Sequence, residues 1–152
     1  EPLVGDFLEG VSGGTSRISM AYSDQWSAEG LVESLRCARG DDVRRGISTV
    51  GPHRDDVMIH VDSLPTRTHS SQGEQRSVAL AMRLAGHRLV VNRTGTDPVV
   101  LLDDVFSELD DDRVRALVEL LPATQSVITT AGTVPDGVEA GTILRLTGGV
   151  FS

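Results

Sequence analysis

A short apolar run that ends in two aspartates is the feature that most constrains how this chain can fold. Residues Val99 to Leu102 read VVLL and lead directly into Asp103 and Asp104. An unbroken apolar run of this kind, opened here by Pro98, is typical of a strand that is buried on both faces of a sheet. The run therefore predicts a central strand whose carboxyl end carries two negative charges.

Segments on both sides of this strand have helical periodicity. Apolar residues recur every three or four positions between Glu74 and Val91, and again between Asp111 and Leu121, which predicts two amphipathic helices. Ser126 to Thr130 (SVITT) reads as a second buried strand. Strands and helices that alternate with short connections imply right-handed crossovers and a mostly parallel sheet in an α/β fold. Such sheets gather their chemistry at the carboxyl ends of the strands.

Weaker local signals complete the predicted order of elements. They predict a loop at Ser12–Ser16, a strand at Arg17–Tyr22, a helix at Ala28–Arg39 that stops at Gly40–Asp42, a strand at Val57–Val61 with a turn at Asp62–Pro65, and edge strands in the tail around Gly148 and Gly149.

Composition bounds the class of protein. The 152 residues are 39% hydrophobic and 24% charged, which suits one globular core. The net charge of −8 argues against a surface that binds nucleic acid all over, although a local patch such as Arg36, Arg39, Arg44 and Arg45 could do so. Cys37 is the only cysteine, so no internal disulfide can form. Without an apolar run of membrane length or a signal peptide at the start, we expect a cytoplasmic protein with no membrane contact.

The adjacent carboxylates predict a cation site. Two negative charges at a strand end are costly unless a cation or hydrogen bonds offset them, and hard oxygen ligands suit Mg²⁺. In a nucleotide site Asp103 would hold the metal, and Asp104 would orient and polarise an attacking water. The alternative is that the pair merely ends a strand and that Asp104 caps the following turn.

The segment His69 to Ser77, HSSQGEQRS, predicts the start of a helix. Ser71 with Glu74 three residues later forms a capping box, which explains both residues structurally. Capping explains Gln72 and Gly73 less well, and a helix start with a hydroxyl and a glycine is also suited to bind phosphate.

Two other patterns carry less information. GPHRDD at Gly51 to Asp56 is either a functional turn or a solvated entry to a strand, and His53 has no second histidine or cysteine at metal spacing. A serine hydrolase is disfavoured, because Ser70 and Ser71 precede a capped helix and do not sit on a strand-to-helix elbow.

Taken in order, GPHRDD, SSQGEQRS, PVVLLDDVFSELDDDR and SVITT resemble the C-terminal half of the RecF family, the ABC-type ATPases of bacterial recombinational repair. The resemblance covers roughly residues 51 to 130. It implies an α/β fold, the C-terminal lobe of an ABC/Rad50-like P-loop ATPase head, in which two subunits sandwich ATP.

The resemblance also assigns roles to residues. Ser70, Ser71, Gln72, Gly73 and Glu74 look like the ABC signature, with Ser71 and Gly73 at the terminal phosphate of ATP held by the other subunit. Val99 to Asp103 looks like the Walker B strand, with Asp103 at Mg²⁺ and Asp104 at the place of the catalytic glutamate. Ser107 to Asp110 (SELD) resembles the D-loop, so that Asp110 faces the nucleotide. Thr129 and Thr130 fall near the switch position, and Thr130 is the residue assigned to the nucleotide.

One motif of the family is absent. No G-x-x-x-x-G-K-[ST] loop occurs, because all fourteen basic residues are arginine. The resemblance places that loop in an N-terminal lobe, and the chain begins at Glu1. We therefore expect a C-terminal fragment, in which residues 1–50 end an inserted second domain and return into the head, and residues 51–152 form the lobe itself.

For the intact protein the resemblance implies slow ATP hydrolysis in an ATP-dependent homodimer. That dimer would bind DNA at gaps and at junctions of single and double strands, assist RecA loading with RecR and RecO, and act in the SOS response. The isolated fragment is expected to be inactive. Two alternatives remain open: the head of another SMC/Rad50-like chromosome-maintenance protein, and a non-catalytic interaction domain.

Overall fold

The structure, a computed structural model, describes residues 2–122 and 124–151 and alternates helices with strands. The α/β class predicted from the sequence is therefore confirmed. In chain order the described elements are α1 (Pro2–Ser12), β1 (Ile18–Ser23), α2 (Leu31–Arg45), β2 (Asp56–Val61), β3 (Leu64–Pro65), α3 (Thr66–His69), α4 (Gln72–Thr94), β4 (Val100–Asp103), α5 (Asp111–Leu120), β5 (Ser126–Thr129), β6 (Leu146–Thr147) and β7 (Val150–Phe151), with 3-10 turns at Pro52–Arg54 and Val105–Glu108.

The strands pair in three groups within the described residues. β1, β2 and β3 form an antiparallel sheet, β4 pairs with β5 in parallel, and β6 pairs with β7 as an antiparallel hairpin. The predicted parallel pairing is thus present between β4 and β5, whereas the other pairings are antiparallel. The turn between β2 and β3 explains part of this difference, because Asp62 and Ser63 both have positive φ, the conformation of a tight two-residue hairpin.

The core lies where α1 crosses α4 and α5. Val4 and Leu8 of α1 join Val78 and Ala81 of α4 in one apolar cluster. A second cluster contains Val11, Leu80, Leu84, Phe106 and Leu117, so that α1 contributes to both. No helix was predicted before residue 16, yet the buried positions of α1 follow the i, i+4, i+7 spacing of an amphipathic helix.

Two sequence predictions about individual elements are wrong. The helix α2 continues through Gly40 to Arg45 and ends at Gly46, which has the left-handed conformation of a C-cap. The strands β4 and β5 are not buried on both faces, because Leu101 is 73% exposed and its partner Val127 is 49% exposed. No described residue covers that face.

The predicted domain boundary at residue 50 stays a prediction. Within the described residues, β1 pairs with β2 and α1 packs on α4, so elements from both sides of residue 50 share one sheet and one core. No described helix is both long and apolar enough to cross a membrane.

Candidate functional site

The parallel pairing of β4 and β5 brings Asp103 and Thr129 side by side. The two residues face each other in the ladder, and Thr129 Oγ1 donates a hydrogen bond to Asp103 Oδ1. The backbone N–H of Asp104 points to the same threonine, 3.1 Å from its carbonyl oxygen and 3.2 Å from Oγ1. Thr129 was noted in the sequence but not assigned to the site, since only the register of the two strands places it opposite Asp103.

Asp104 ends the strand in an unusual backbone conformation. Its φ of 47° and ψ of 28° lie in the left-handed region, which aspartate tolerates better than most residues. Ser107 Oγ lies 2.9 Å from the carbonyl oxygen and 3.0 Å from Oδ2 of Asp104. Asp104 occupies the N-cap position of the 3-10 turn, but its side chain accepts no backbone N–H there. Capping therefore does not account for this carboxylate.

The residues at this strand end fit Mg²⁺ in a shared site. Both carboxylates are exposed, and they stand with the hydroxyl of Thr129 as hard oxygen groups. The described residues contain no group of three or more His, Cys, Asp or Glu that could enclose a metal. Mg²⁺ commonly needs no such group, because it takes one or two carboxylates and completes its shell with waters and substrate phosphates.

The start of α4 is a capping box, as predicted. The backbone N–H of Glu74 donates to Ser71 Oγ at 3.2 Å, and the backbone N–H of Ser71 donates to Glu74 Oε2 at 2.6 Å. The hydroxyl of Ser71 accepts this bond and keeps its own O–H to donate elsewhere. Ser71 and Gln72 are exposed, while Ser70 and Gly73 are half-buried.

The short helix α3 fixes the approach to this segment. Thr66 Oγ1 donates to the carbonyl of Ile59 at 2.9 Å, which attaches α3 to β2. Gln75 Nε2 donates to the carbonyls of Thr66 and Ser70, at 3.2 and 3.1 Å. The guanidinium of Arg67 pairs with Asp56 through two hydrogen bonds of 2.8 and 2.9 Å.

The polar side chains of the motif GPHRDD make hydrogen bonds within the chain. Besides the pairing of Asp56 with Arg67, Asp55 accepts a hydrogen bond from Trp26 Nε1 at 2.9 Å and another from the Tyr22 hydroxyl. Arg54 Nε donates to the carbonyl of Ser48 at 2.9 Å. Asp55 and Asp56 thus connect β2 to β1 and to α3, and Arg54 holds the loop at Ser48.

Three groups away from the strand end have shifted pKa values. The hydrogen bond to Asp55 raises the pKa of Tyr22 to about 12. The hydrogen bond from the Thr49 hydroxyl lowers the pKa of Asp42, and the hydrogen bond from the side chain of Ser27 lowers the pKa of Asp24. All three groups lie outside the predicted nucleotide-binding residues.

Asp110 and Thr130 have well-defined local partners. Asp110 is the N-cap of α5, where Oδ1 accepts from the backbone N–H of Arg113 at 2.9 Å and Oδ2 accepts from Arg113 Nη1 at 2.6 Å. Thr130 Oγ1 accepts from the N–H of Gly132 at 3.1 Å. Among the described residues, no hydrogen bond joins Asp103 or Asp104 to residues 70–74.

No protein-family model matches the chain. Among curated proteins it is similar to the "DNA replication and repair protein RecF" of several bacteria. It is 38% identical to that of Agathobacter rectalis over 130 residues, 43% identical to that of Frankia alni over 125, and 39% identical to that of a Nocardioides species over 158. These matches cover 86%, 82% and 92% of this chain, but only 36%, 31% and 37% of the relatives. The chain thus spans about a third of their length.

Solved structures agree with these relatives. The fold is similar to two structures of the recombination mediator protein RecF in the RecFOR pathway. RecF-ATPrS gives a TM-score of 0.77 at 30% identity, and RecF-ATP gives 0.76 at 28%. Both matches cover 99% of this chain and 42% of the solved chain. The chain belongs to the RecF family and corresponds to the C-terminal portion of its members.

Proposed function

We propose that this chain supplies half of a composite ATP site in a RecF-like protein of recombinational repair. The observation that carries the proposal is the cluster of Asp103, Asp104 and Thr129 at the carboxyl edge of the parallel strands, in a chain that is similar over most of its length to RecF relatives. The solved RecF structures named for ATP and ATPrS support the choice of nucleotide.

The residues divide into two sets with separate tasks. Asp103, aligned by the Thr129 hydroxyl, would hold Mg²⁺, which neutralises phosphate charge when bound. Asp104 would orient a water next to it. The residues that would contact nucleotide are Ser70 to Glu74, Asp110 and Thr130. Of these, the signature, Ser70 to Glu74, would contact the ATP that the other subunit of a homodimer binds. The absence of hydrogen bonds between Asp103 and the signature is compatible with this division, since each set would serve a different nucleotide.

The DNA, RecR, RecO and RecA interactions belong to the proposal for the intact, cytoplasmic protein. This chain lends them little electrostatic support. Although α2 carries four arginines, Arg36 lies 3.4 Å from Glu33, and Arg44 pairs with Asp41, so the positive charge of the helix is interleaved with negative charge. We therefore expect the main DNA-binding surface to lie outside these residues.

Equilibrium binding of labelled ATP with Mg²⁺ tests the proposal. The measurement compares this chain alone with the full RecF-like protein that contains it, as wild type and as Asp103→Ala. We expect the full protein to bind and the substitution to weaken binding at least tenfold, while the chain alone binds poorly. Asp97→Ala is the matched control, because Asp97 is an exposed aspartate just before β4.

Two results would contradict the proposal. Tight binding by the isolated chain would mean that a complete nucleotide site exists within it. Equal binding by the wild type and by Asp103→Ala would remove the aspartate from the site.

A further inference from the structure

The guanidinium of Arg113 lies between two segments that the proposed function assigns to nucleotide. Arg113 belongs to α5, where Nη1 pairs with Asp110 Oδ2 at 2.6 Å and the backbone N–H is capped by Asp110 Oδ1. The side chain of Arg113 is only 28% exposed. It therefore does not extend into solvent as most surface arginines do.

The same guanidinium lies over the first turn of α4. A Cβ placed on Gly73 would come within 3.0 Å of Arg113 Nη1 and within 3.5 Å of both Cζ and Nη2. Gly73 is not among the described residues with positive φ, so its backbone conformation does not demand glycine. Arg113 can approach this closely because Gly73 has no side chain.

A second arginine on α5 shows that this placement is specific. Arg115 pairs with Asp112 at 2.5 Å with the same i, i+3 spacing as Arg113 and Asp110. Yet the side chain of Arg115 is 68% exposed. Two ion pairs of the same type thus stand on one helix, and Arg113 is the arginine that contacts Gly73.

The position of Arg113 at the start of α4 depends on its ion pair with Asp110. A cation at the N-terminus of a helix opposes the positive end of the helix dipole. Asp110 offsets this cost by pairing with Arg113 beside the start of α4. Loss of the Asp110 charge would therefore leave Arg113 in an unfavourable position against Gly73, and the two segments would no longer be held together.

We infer that Arg113 is a positioning residue that couples the signature segment at Gly73 to the D-loop-like residue Asp110, so that both segments meet a partner subunit's nucleotide as one rigid surface. This inference rests on the proposed function, because it concerns how that site is held for ATP-dependent dimerisation. Arg113 itself is not assigned a contact with ATP.

The test measures ATP-dependent dimerisation of the full RecF-like protein by sedimentation. We expect Arg113→Gln to weaken the dimer about tenfold, a typical size for coupling between sites. Arg115→Gln, the matched control, should leave dimerisation within twofold of the wild type. ATP binding to the monomer should stay unchanged in both variants, which separates positioning from loss of the fold.

A second pair of variants guards against misfolding. Asp110→Asn keeps a good N-cap for α5 but removes the charge that holds Arg113, and Asp112→Asn does the same for Arg115. We expect Asp110→Asn to weaken the dimer, Asp112→Asn to leave it unchanged, and Arg113→Gln to cause little further loss in the Asp110→Asn background, because coupling through the ion pair needs both residues. Equal effects within each pair of variants would overturn the inference.

The outcomes also separate this inference from the proposed function. If the wild type fails to dimerise with ATP, the proposed function is wrong and the inference with it. If the wild type dimerises, Asp103→Ala abolishes dimerisation and Arg113→Gln behaves like Arg115→Gln, then only the coupling role of Arg113 is wrong.

Discussion

At the scale of single residues, the backbone of Asp104 is the clearest sign of a constraint beyond stability. A non-glycine residue in the left-handed region costs on the order of 1 kcal/mol and persists where the surroundings fix it. Here Ser107 and the ladder bond to Thr129 fix it. The strain ends β4 abruptly and leaves the Asp104 carboxylate next to Asp103.

The substitution Asp104→Asn removes the negative charge of this side chain but keeps its shape. Asn tolerates the left-handed conformation and can accept the Ser107 bond, so we expect Asp104→Asn to change the free energy of unfolding by less than about 0.5 kcal/mol. If Asp104 polarises water, steady-state ATP hydrolysis by the full protein should fall about 10²-fold or more. Asp97→Asn is the control. Unchanged hydrolysis would favour a non-catalytic interaction domain.

Tyr22 offers a pH readout from the only tyrosine of the chain. Tyrosinate absorbance should report a pKa of about 12, because the hydroxyl donates to Asp55 in the folded state. Unfolded tyrosine loses its proton near pH 10. The folded state therefore binds this proton more tightly, and the stability that it contributes is complete below pH 10 and is lost as the pH rises toward 12.

Substitution of the acceptor checks the cause of this shift. Asp55→Asn should return the pKa of Tyr22 toward 10, whereas Asp24→Asn should lower it less, because Asp24 acts only through its charge. A tyrosine pKa that stays near 12 in Asp55→Asn would show that Asp55 is not the cause.

At the scale of elements, the packing of α1 on α5 is the contact that the sequence least foreshadowed. Gly10 is the close point of this contact: a Cβ placed there would lie 2.8 Å from Leu120 Cδ1. Gly86, in the exposed face of α4, would meet nothing within 4 Å. One glycine therefore permits helix packing, and the other only lowers helix propensity.

Alanine at the two glycines should act in opposite directions. Gly86→Ala should raise the free energy of unfolding by about 0.5 to 1 kcal/mol, since alanine is the better helix former. Gly10→Ala should lower it by up to about 2 kcal/mol, because overpacking against Leu120, which costs about 1 to 3 kcal/mol, outweighs the same gain in helix propensity. Urea unfolding of both variants measures the difference. A stabilised Gly10→Ala variant would show that α1 and α5 pack less closely than described.

At the scale of the whole molecule, the parallel strands β4 and β5 leave an apolar face exposed. The face of β4 and β5 that carries Leu101 and Val127 is exposed, and single exposed apolar residues are common but an apolar sheet face is not. The RecF relatives are about three times as long as the matched region. The composite ATP site that we propose would likewise belong to the intact protein, and the binding measurement on both forms tests this.

Much of this organisation followed from local sequence. The apolar periodicity of α4 and α5, the capping box at Ser71, and the glycine pair in the β6–β7 hairpin each act over a few residues, so a single segment suffices to predict them. The order of the motifs also predicted the family, and the similarity to RecF relatives confirmed it.

Only the tertiary structure decided which distant groups meet. The pairing of Asp103 with Thr129 needs the parallel register, the occupation of Asp55 by Tyr22 and Trp26 needs the β1–β2 ladder, and the approach of Arg113 to Gly73 joins residues 40 positions apart. The physical reason is that side-chain contacts between elements depend on how the elements pack around a common core. Local periodicity determines which face of an element is apolar, but not which partner that face will find.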